Sequence, residues 1–211
     1  MIRKYEPKFG ERLVWVSEKD EGIYDAINKG ISLATGDIIG IINSDDYYHS
    51  NTIIEEIVNE FKNNEVDAVF GDVVYVKPNN IHKIVRYYSS RFFTLNKTRF
   101  GLMPPHPSFF TYRHYFKEYG GYKTDYKIAA DYDLMARFLY VHKMRYKYMP
   151  KAFLTMRTGG TSTHGVQNVI IRNNKEIIRA CKENNIYTTL CLVCSRYLFK
   201  IMGLFLKDDK Q

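Results

Sequence analysis

The run Asp37-Ile-Ile-Gly-Ile-Ile-Asn43 constrains the fold more than any other stretch of the chain. It is short and nearly all apolar, and it is bounded by Gly36 and an Asn-Ser-Asp-Asp cluster. A run of this kind without alternation reads as a central strand buried on both faces, which requires covering layers above and below. Its neighbours supply them. Upstream, Ile23, Ala26, Ile27, Ile31 and Ala34 recur at the helical period, and Gly36 fits a helix C-cap. Downstream, Ile53, Ile54, Ile57 and Phe61 mark a second amphipathic helix. Before both, Arg12 to Glu18, "RLVWVSE", reads as a short buried strand.

The remaining elements follow the same logic. "DAVFGDVVYV" and "IHKIVRYY" are strand-like and joined by Lys77-Pro78-Asn79-Asn80, which predicts a hairpin. Ser89 to Pro107 is irregular, and "RHYFKEYGGY" reads as a short helix ended by two glycines. A further helix covers "ADYDLMARFLYVH", followed by the strand-like runs "MRYKYMP" and "AFLTMRT" and the polar loop "TGGTSTHG". Two helices, about Gln167 to Lys182 and Tyr187 to Lys207, close the chain. Strands alternating with helices early and a hairpin later predict an α/β fold with a mixed sheet flanked by helices.

With 211 residues, of which 45% are hydrophobic, the chain can bury a real core and is not a disordered one. Lys and Arg number 31 against 23 Asp and Glu, a net charge of +8 that suits an anionic partner such as nucleotide phosphates, nucleic acid or a membrane surface. No stripe of alternating basic and aromatic residues has a groove-sized spacing, so a nucleic-acid partner is not expected. Cys181, Cys191 and Cys194 are odd in number and clustered late, which fits a reducing compartment better than a disulfide framework. The Cys191-x-x-Cys194 pair has apolar surroundings and no second pair beside it, so core or membrane-facing cysteines are expected rather than a zinc site. The opening residues lack the uninterrupted apolar region of a signal peptide, and no window of about 18 uncharged apolar residues predicts a spanning helix.

Asp45 and Asp46 stand where the first apolar run stops. Ligands of open α/β sheets bind beyond the carboxyl ends of the strands. Two adjacent carboxylates there raise each other's pKa unless a cation compensates. The pair therefore either caps a turn or faces a divalent cation, which would also hold a diphosphate.

The surrounding words resemble a known family. "SEKDEGIYDAINKGISLATGDIIGIINSDDYY" is similar to the family 2 glycosyltransferases of the GT-A fold. In that family a helix bearing an Asn, a Gly-Asp turn, a buried strand and an Asp-Asp version of the DxD motif follow in this order. The resemblance continues through "PHPSFFTYRHYFKEYGGY" and "YKIAADYDLMARF", covering Leu13 to about Thr163. It implies an inverting transfer of a sugar from a nucleotide-sugar donor to a hydroxyl of a glycan or lipid-linked acceptor, in bacterial surface polysaccharide assembly. It also implies roles. Asp45 would contact the ribose or the metal shell, and Asp46 would ligate the Mg²⁺ or Mn²⁺ that bridges the donor diphosphate. Asp131, in "IAADYD", matches the catalytic base; its alternatives are a helix N-cap role and the neighbouring Asp133 as base. His106, in "PPHPS", matches the loop lining the sugar pocket. Asp25 and Asn28 would face the nucleotide from the first helix, or be solvated helix residues. Gly159 to His164 fits a loop closing over the diphosphate, with His164 or Arg157 as phosphate contacts.

The chain also departs from the family pattern. Members begin with a strand–helix–strand unit ahead of the segment that matches "RLVWVSE", and only about a dozen residues precede Arg12 here. Glu21 stands where a basic residue is common. The expectation is an N-terminally truncated GT-A domain over residues 1–165 and a C-terminal helical segment over 166–211, cytoplasmic and peripheral on the membrane. In that segment "YTTLCLVCSRYLFKIMGLFLK", with Arg196 and Lys200 a turn apart, would lie in the membrane interface or pack on the domain. An open sheet edge and half a nucleotide pocket would leave such a chain poorly active without a partner chain, or make it a non-catalytic subunit.

Overall fold

A computed structural model describes residues 2–158 and 166–205. Short helical turns occupy Ile2–Lys4, Glu6–Phe9 and Gly10–Arg12. The helices are α1 (Ile23–Leu33), α2 (Ile53–Asn63), α3 (His114–Glu118), α4 (Ala130–Met135), α5 (Val166–Glu183) and α6 (Leu190–Phe205). The strands are β1 (Ile38–Gly40), β2 (Tyr47–Tyr48), β3 (Ala68–Lys77), β4 (Asn80–Tyr88), β5 (Phe109–Tyr112) and β6 (Tyr146–Arg157). They form one mixed sheet in the order β1-β5-β3-β6-β2, with β4 also on β3.

The central strand is β3, not the run that begins at Asp37. Along one edge β3 pairs in parallel with β6, from Ala68 opposite Tyr146 to Val76 opposite Arg157. Its other edge pairs first with β5 and then with β4, both antiparallel. β1 instead lies at the end of the sheet, with β5 as its pairing strand. Only Ile39 of β1 is buried, and Ile42 beyond it is exposed. An apolar run reports that side chains want cover, not how many of its backbone edges are paired, and that is why the expectation of a central strand fails.

The expected strand at Arg12–Glu18 is absent. Leu13 to Asp20 has no regular structure, and Val14 and Val16 are 58% and 50% exposed. A strand needs a neighbour for its N–H and C=O groups, and no strand among the described residues pairs with this segment. The C-cap of α1 is Ala34 rather than Gly36; its N–H reaches the carbonyls of Gly30 and Ile31 and its backbone turns extended. The two late strand-like runs are one strand, β6, that continues through Pro150.

Pro150 is tolerated inside β6 because the ladder is already broken there. Proline lacks the N–H that a central strand would use. Pairing with β3 shifts register between Phe70 and Asp72, so Gly71 sits opposite the irregular stretch. A Cβ on Gly71 would stand 2.4 Å from the Phe153 ring and 2.7 Å from the Lys151 carbonyl oxygen. Only glycine lets the two backbones approach this closely.

Helices cover both faces. On one, α2 buries Ile53, Ile57 and Phe61 against Val69, Val73, Phe110, Phe153 and Leu154. At roughly 1.5–3 kcal/mol for each fully buried side chain, this face alone contributes several kcal/mol. On the other, Phe70 and Phe109 pack with Tyr132, Met135, Phe138 and Leu139 of α4 and the π-helical turn Ala136–Val141 that extends it. Ile177, Ala180 and Cys181 of α5 and Val193 of α6 belong to that same cluster. The core thus runs on through the C-terminal helices. Arg196 is turned inward, 3% exposed, with Asn174 Oδ1 2.7 Å away, so it does not face a headgroup layer. Cys181 is buried, whereas Cys191 and Cys194 are exposed. No helix among the described residues is long and apolar enough to cross a membrane.

Gly71→Ala should cost about 1–3 kcal/mol or more of unfolding free energy, because the Lys151 carbonyl cannot step aside as a side chain would. Urea denaturation of the purified chain measures this, and an unchanged midpoint would contradict the close approach.

Candidate active site

The loop after β1 is a turn held by Asn43. Its carbonyl accepts the Asp46 N–H at 3.1 Å, and its side-chain amide donates to Asp46 Oδ2 at 3.0 Å. The next two residues pair with Leu154 and Thr155 of β6, which brings the loop beside Arg157 at the end of that strand. Asp45 is exposed, whereas Asp46 is half-buried. Burial raises the Asp46 pKa; the Asn43 amide opposes this, the Asp45 charge adds to it, and the Arg157 backbone and guanidinium oppose it. The other oxygen, Asp46 Oδ1, is buried with no hydrogen-bond partner among the described residues. An acceptor left in that state is costly in isolation and suits a cation. No group of three or more His, Cys, Asp or Glu side chains among the described residues could hold a metal ion. The donor set here is the Asp45–Asp46 pair, and a diphosphate would have to complete it.

Asp131 lies in the first turn of α4, and the N-cap position is Ala129, not Asp131. The backbone leading into this helix is held from far away in sequence. Glu176 of α5 accepts from Ile128 at 2.8 Å, Ala129 at 2.9 Å and Lys127 at 3.2 Å. Asp131 does not occupy the N-cap, and its Oδ1 accepts the adjacent Tyr132 N–H at 2.8 Å. Burial raises its pKa to about 6, against the Tyr132 N–H, and the Glu176 charge adds to the rise. Desolvation here outweighs the ionising pull expected of a helix N-terminus. Asp133, the rival, is fully buried in an ion-pair network. Arg137 Nε and Lys123 Nζ are each 2.9 Å from its oxygens, and Asn184 donates at 3.0 Å. These partners tie the turn after α3, the helix α4 and the residue that follows α5 to one buried carboxylate.

Around Asp131 stand two tyrosines that the sequence did not single out. The Tyr24 and Tyr122 rings stack at 5.9 Å, and the Tyr24 hydroxyl donates to the Ile128 carbonyl. Burial, and then the nearby Asp131 charge, pushes both phenol pKa values well up. His106 Nε2 is 2.5 Å from the Tyr122 hydroxyl. Burial lowers the His106 pKa to about 4, so it is neutral at physiological pH and accepts the Tyr122 proton through Nε2. Asn28 spends its amide on Tyr122 as well, donating to its carbonyl at 2.7 Å and accepting its N–H at 2.9 Å. Asp25 accepts the Glu21 N–H at 3.0 Å and pairs with Lys29 at 3.0 Å.

Tyr122 thus gathers His106, Asn28 and Asp131. No hydrogen bond or ion pair among the described residues joins Asp25, Asp45 or Asp46 to this group. His164 and the Gly159–His164 loop lie outside the described residues, while Arg157 is at the Asp46 loop. Tyr122 had a faint signal, as the residue after Gly120-Gly121 in a family-like word. Glu176 had none, because it acts from 47 residues further along the chain, on a helix whose sequence shows only periodicity.

Residues 1–120 match the sequence profile described as Glycosyl transferase family 2. The chain belongs to that family. A "PGL/p-HBAD biosynthesis glycosyltransferase" of Mycobacterium bovis is 28% identical over 176 residues, covering 83% of this chain and 64% of the relative. The chain thus spans somewhat less than two thirds of that protein's length. Among solved structures, Staphylococcus aureus TarS 1–349 aligns with a TM-score of 0.61 at 16% identity, over 99% of this chain and 62% of TarS 1–349. The mannosyltransferase PcManGT of Pyrobaculum calidifontis, solved with GDP-Man and Mn²⁺, gives 0.58 at 15% identity, over 96% and 58%. At such identities the likeness concerns the fold, and the mixed sheet flanked by helices is of the GT-A type.

Asp131→Asn should stabilise the protein by roughly 1–3 kcal/mol at neutral pH, since a raised carboxylate pKa is a folding penalty. The sign follows from the folded form holding its proton to a higher pH than the unfolded chain. The gain is fully present above about pH 6 and fades toward pH 4, where both states are protonated. Thermal unfolding at several pH values tests it; equal gains at pH 4 and pH 7.5 would contradict it. Removing the Glu176 carboxylate by Glu176→Ala should cost about 1–3 kcal/mol through the uncapped N–H groups, in the same assay.

Proposed function

We propose that the chain carries a nucleotide-sugar-dependent glycosyltransferase site that inverts configuration at the transferred sugar. The observation that carries this reading is the contrast within α4: Asp133 is locked in ion pairs, while Asp131 has no cationic partner among the described residues and a pKa of about 6. An inverting transfer needs a carboxylate that takes the acceptor hydroxyl's proton as the glycosidic bond to the leaving diphosphate breaks. A carboxylate with a pKa of about 6 is mostly ionised at neutral pH, yet more basic than an ordinary Asp.

Mg²⁺ or Mn²⁺ would be held by Asp46 with Asp45 beside it, and when bound it would neutralise the nucleoside diphosphate that departs. The orphan oxygen of Asp46 supports this placement. Neutral His106, fixed by Tyr122, would offer its remaining ring N–H to a hydroxyl of the sugar or acceptor. Asn28 would serve the site by holding the Tyr122 backbone, and Asp25 with Lys29 would border the nucleotide side of α1. TarS has been solved with UDP and PcManGT with GDP-Man and Mn²⁺, which supports a nucleotide-sugar donor here. The acceptor class we propose is a glycan or lipid-linked hydroxyl in bacterial surface polysaccharide assembly, at the cytoplasmic face of the membrane.

A second reading is a non-catalytic subunit that works through a partner chain. It is favoured by a groove of about 440 Å³ between the Leu13–Asp20 segment and α1, where Val14, Trp15, Val16, Leu33 and Ala34 form part of the lining.

The two readings separate in one experiment. Calorimetry with UDP or GDP in the presence of Mn²⁺ should show binding that Asp46→Ala removes and Asp131→Asn leaves within about threefold, while Asp131→Asn lowers transfer by about 10²–10⁴-fold. In wild type, kcat/KM should rise as pH passes upward through about 6. No nucleotide binding at all would favour the subunit reading.

A further inference from the structure

We propose that the β3–β4 hairpin and the Arg91–Phe92 turn at its base form a docking surface for an anionic phospholipid membrane. This deepens the reading above by naming the face on which a lipid-linked acceptor would arrive.

The hairpin is an unusual piece of surface. β4 is exposed along nearly its whole length, on both of its faces. Its exposed side chains include Ile81, Ile84 and Val85, with Ile84 54% exposed. Aliphatic residues on a solvated strand leave apolar area in water unless something covers them. Between them stand His82, Lys83 and Arg86. No Asp or Glu occurs anywhere between Asp72 and Glu118. An ordinary solvated face interleaves both signs of charge, and this one carries cations alone. Lys77, Lys83, Arg86 and Arg91 form no ion pair among the described residues. Arg86 instead lies over the Tyr75 and Tyr88 rings, at 5.7 and 5.6 Å.

At the base the same chemistry recurs. Phe92 is 59% exposed and flanked by two cations, Arg91 at 5.7 Å and Lys97 at 5.7 Å from its ring. An exposed aromatic ring between basic groups fits a headgroup layer, where the ring meets the acyl boundary and the cations meet phosphate. An unpaired strand edge cannot enter hydrocarbon, so the hairpin would lie at the interface rather than insert.

The surface is also fixed relative to the candidate site. Buried Asp72 accepts the Tyr87 hydroxyl and the Ser90 N–H, each at 2.7 Å, at the hairpin base. The Gly71 carbonyl accepts the Ser90 and Ser108 hydroxyls, both at 2.9 Å. Ser108 ends the loop that carries His106, so a membrane against the hairpin lies at a set position from that loop.

The test is co-sedimentation of the full chain with vesicles of phosphatidylcholine alone and of phosphatidylcholine mixed with phosphatidylserine. Binding should require phosphatidylserine and weaken with salt. The double variant Lys83→Glu/Arg91→Glu should bind at least about tenfold more weakly, and Ile84→Ser/Phe92→Ser should also weaken it. Leu190→Ser/Leu198→Ser on α6 should retain most of the binding. Circular dichroism confirms that each variant is folded. The proposal is overturned if wild type ignores anionic vesicles, if the hairpin variants bind as wild type does, or if only the α6 variant loses binding. It is also overturned if the hairpin variants change only the mass in solution, which would make the face a contact between copies. UDP or GDP binding with Mn²⁺, measured on the same proteins, reports separately on the transferase site. A chain that binds vesicles but no nucleotide keeps this inference and loses the other.

Discussion

Everything in this molecule is arranged about the change of partners along β3. Its first half pairs with β5 and its second with β4, while β6 runs beside both. Gly71 sits at the changeover, and the absence of a side chain there lets β6 pass with Pro150 in its interior. The Gly71 carbonyl, freed from a regular ladder, binds Ser90 and Ser108 instead. One irregular residue therefore fixes the hairpin base, the His106 loop and the path of the strand that leads to Arg157. The strand that scaffolds the fold and the loops that carry chemistry share a single joint.

Local pattern was legible in the sequence where the cause is local. α1, α2 and the β3–β4 hairpin follow from helical spacing and from a turn at Pro78-Asn79, and neither depends on distant residues. The place of β1 was not legible, because edge and central strands differ in backbone partners and not in composition. "RLVWVSE" failed for a related reason: its residues favour a strand, but propensity cannot supply a neighbour. At the site, the family-like words pointed to Asp131, Asp46 and His106 as residues to watch. What surrounds them was hidden. The ion pairs that hold Asp133 reach it from Lys123, ten residues earlier, and its amide partner is Asn184, fifty-one residues later. Tyr24 and Tyr122 approach Asp131 only through the packing of α1 on the Gly121 turn.

The two carboxylates of α4 show how one short helix can give the same group two different surroundings. Asp133 is buried and faces a guanidinium, an ammonium and an amide. Asp131, two residues away, has no cationic partner among the described residues, and burial, with a further contribution from the Glu176 charge, raises its pKa. The difference between them is one of company. One element thus carries a carboxylate fixed by ion pairs and another without them.

Glu176 gives that division a longer reach. Its carboxylate binds the backbone at the start of α4 and its charge is felt by Asp131, yet it belongs to a helix that sequence alone treats as an appendage. The seating of α5 therefore adds to a rise in the Asp131 pKa that burial begins. Exchange of Glu176 for a neutral residue would lower that pKa without altering Asp131 or the N–H it accepts.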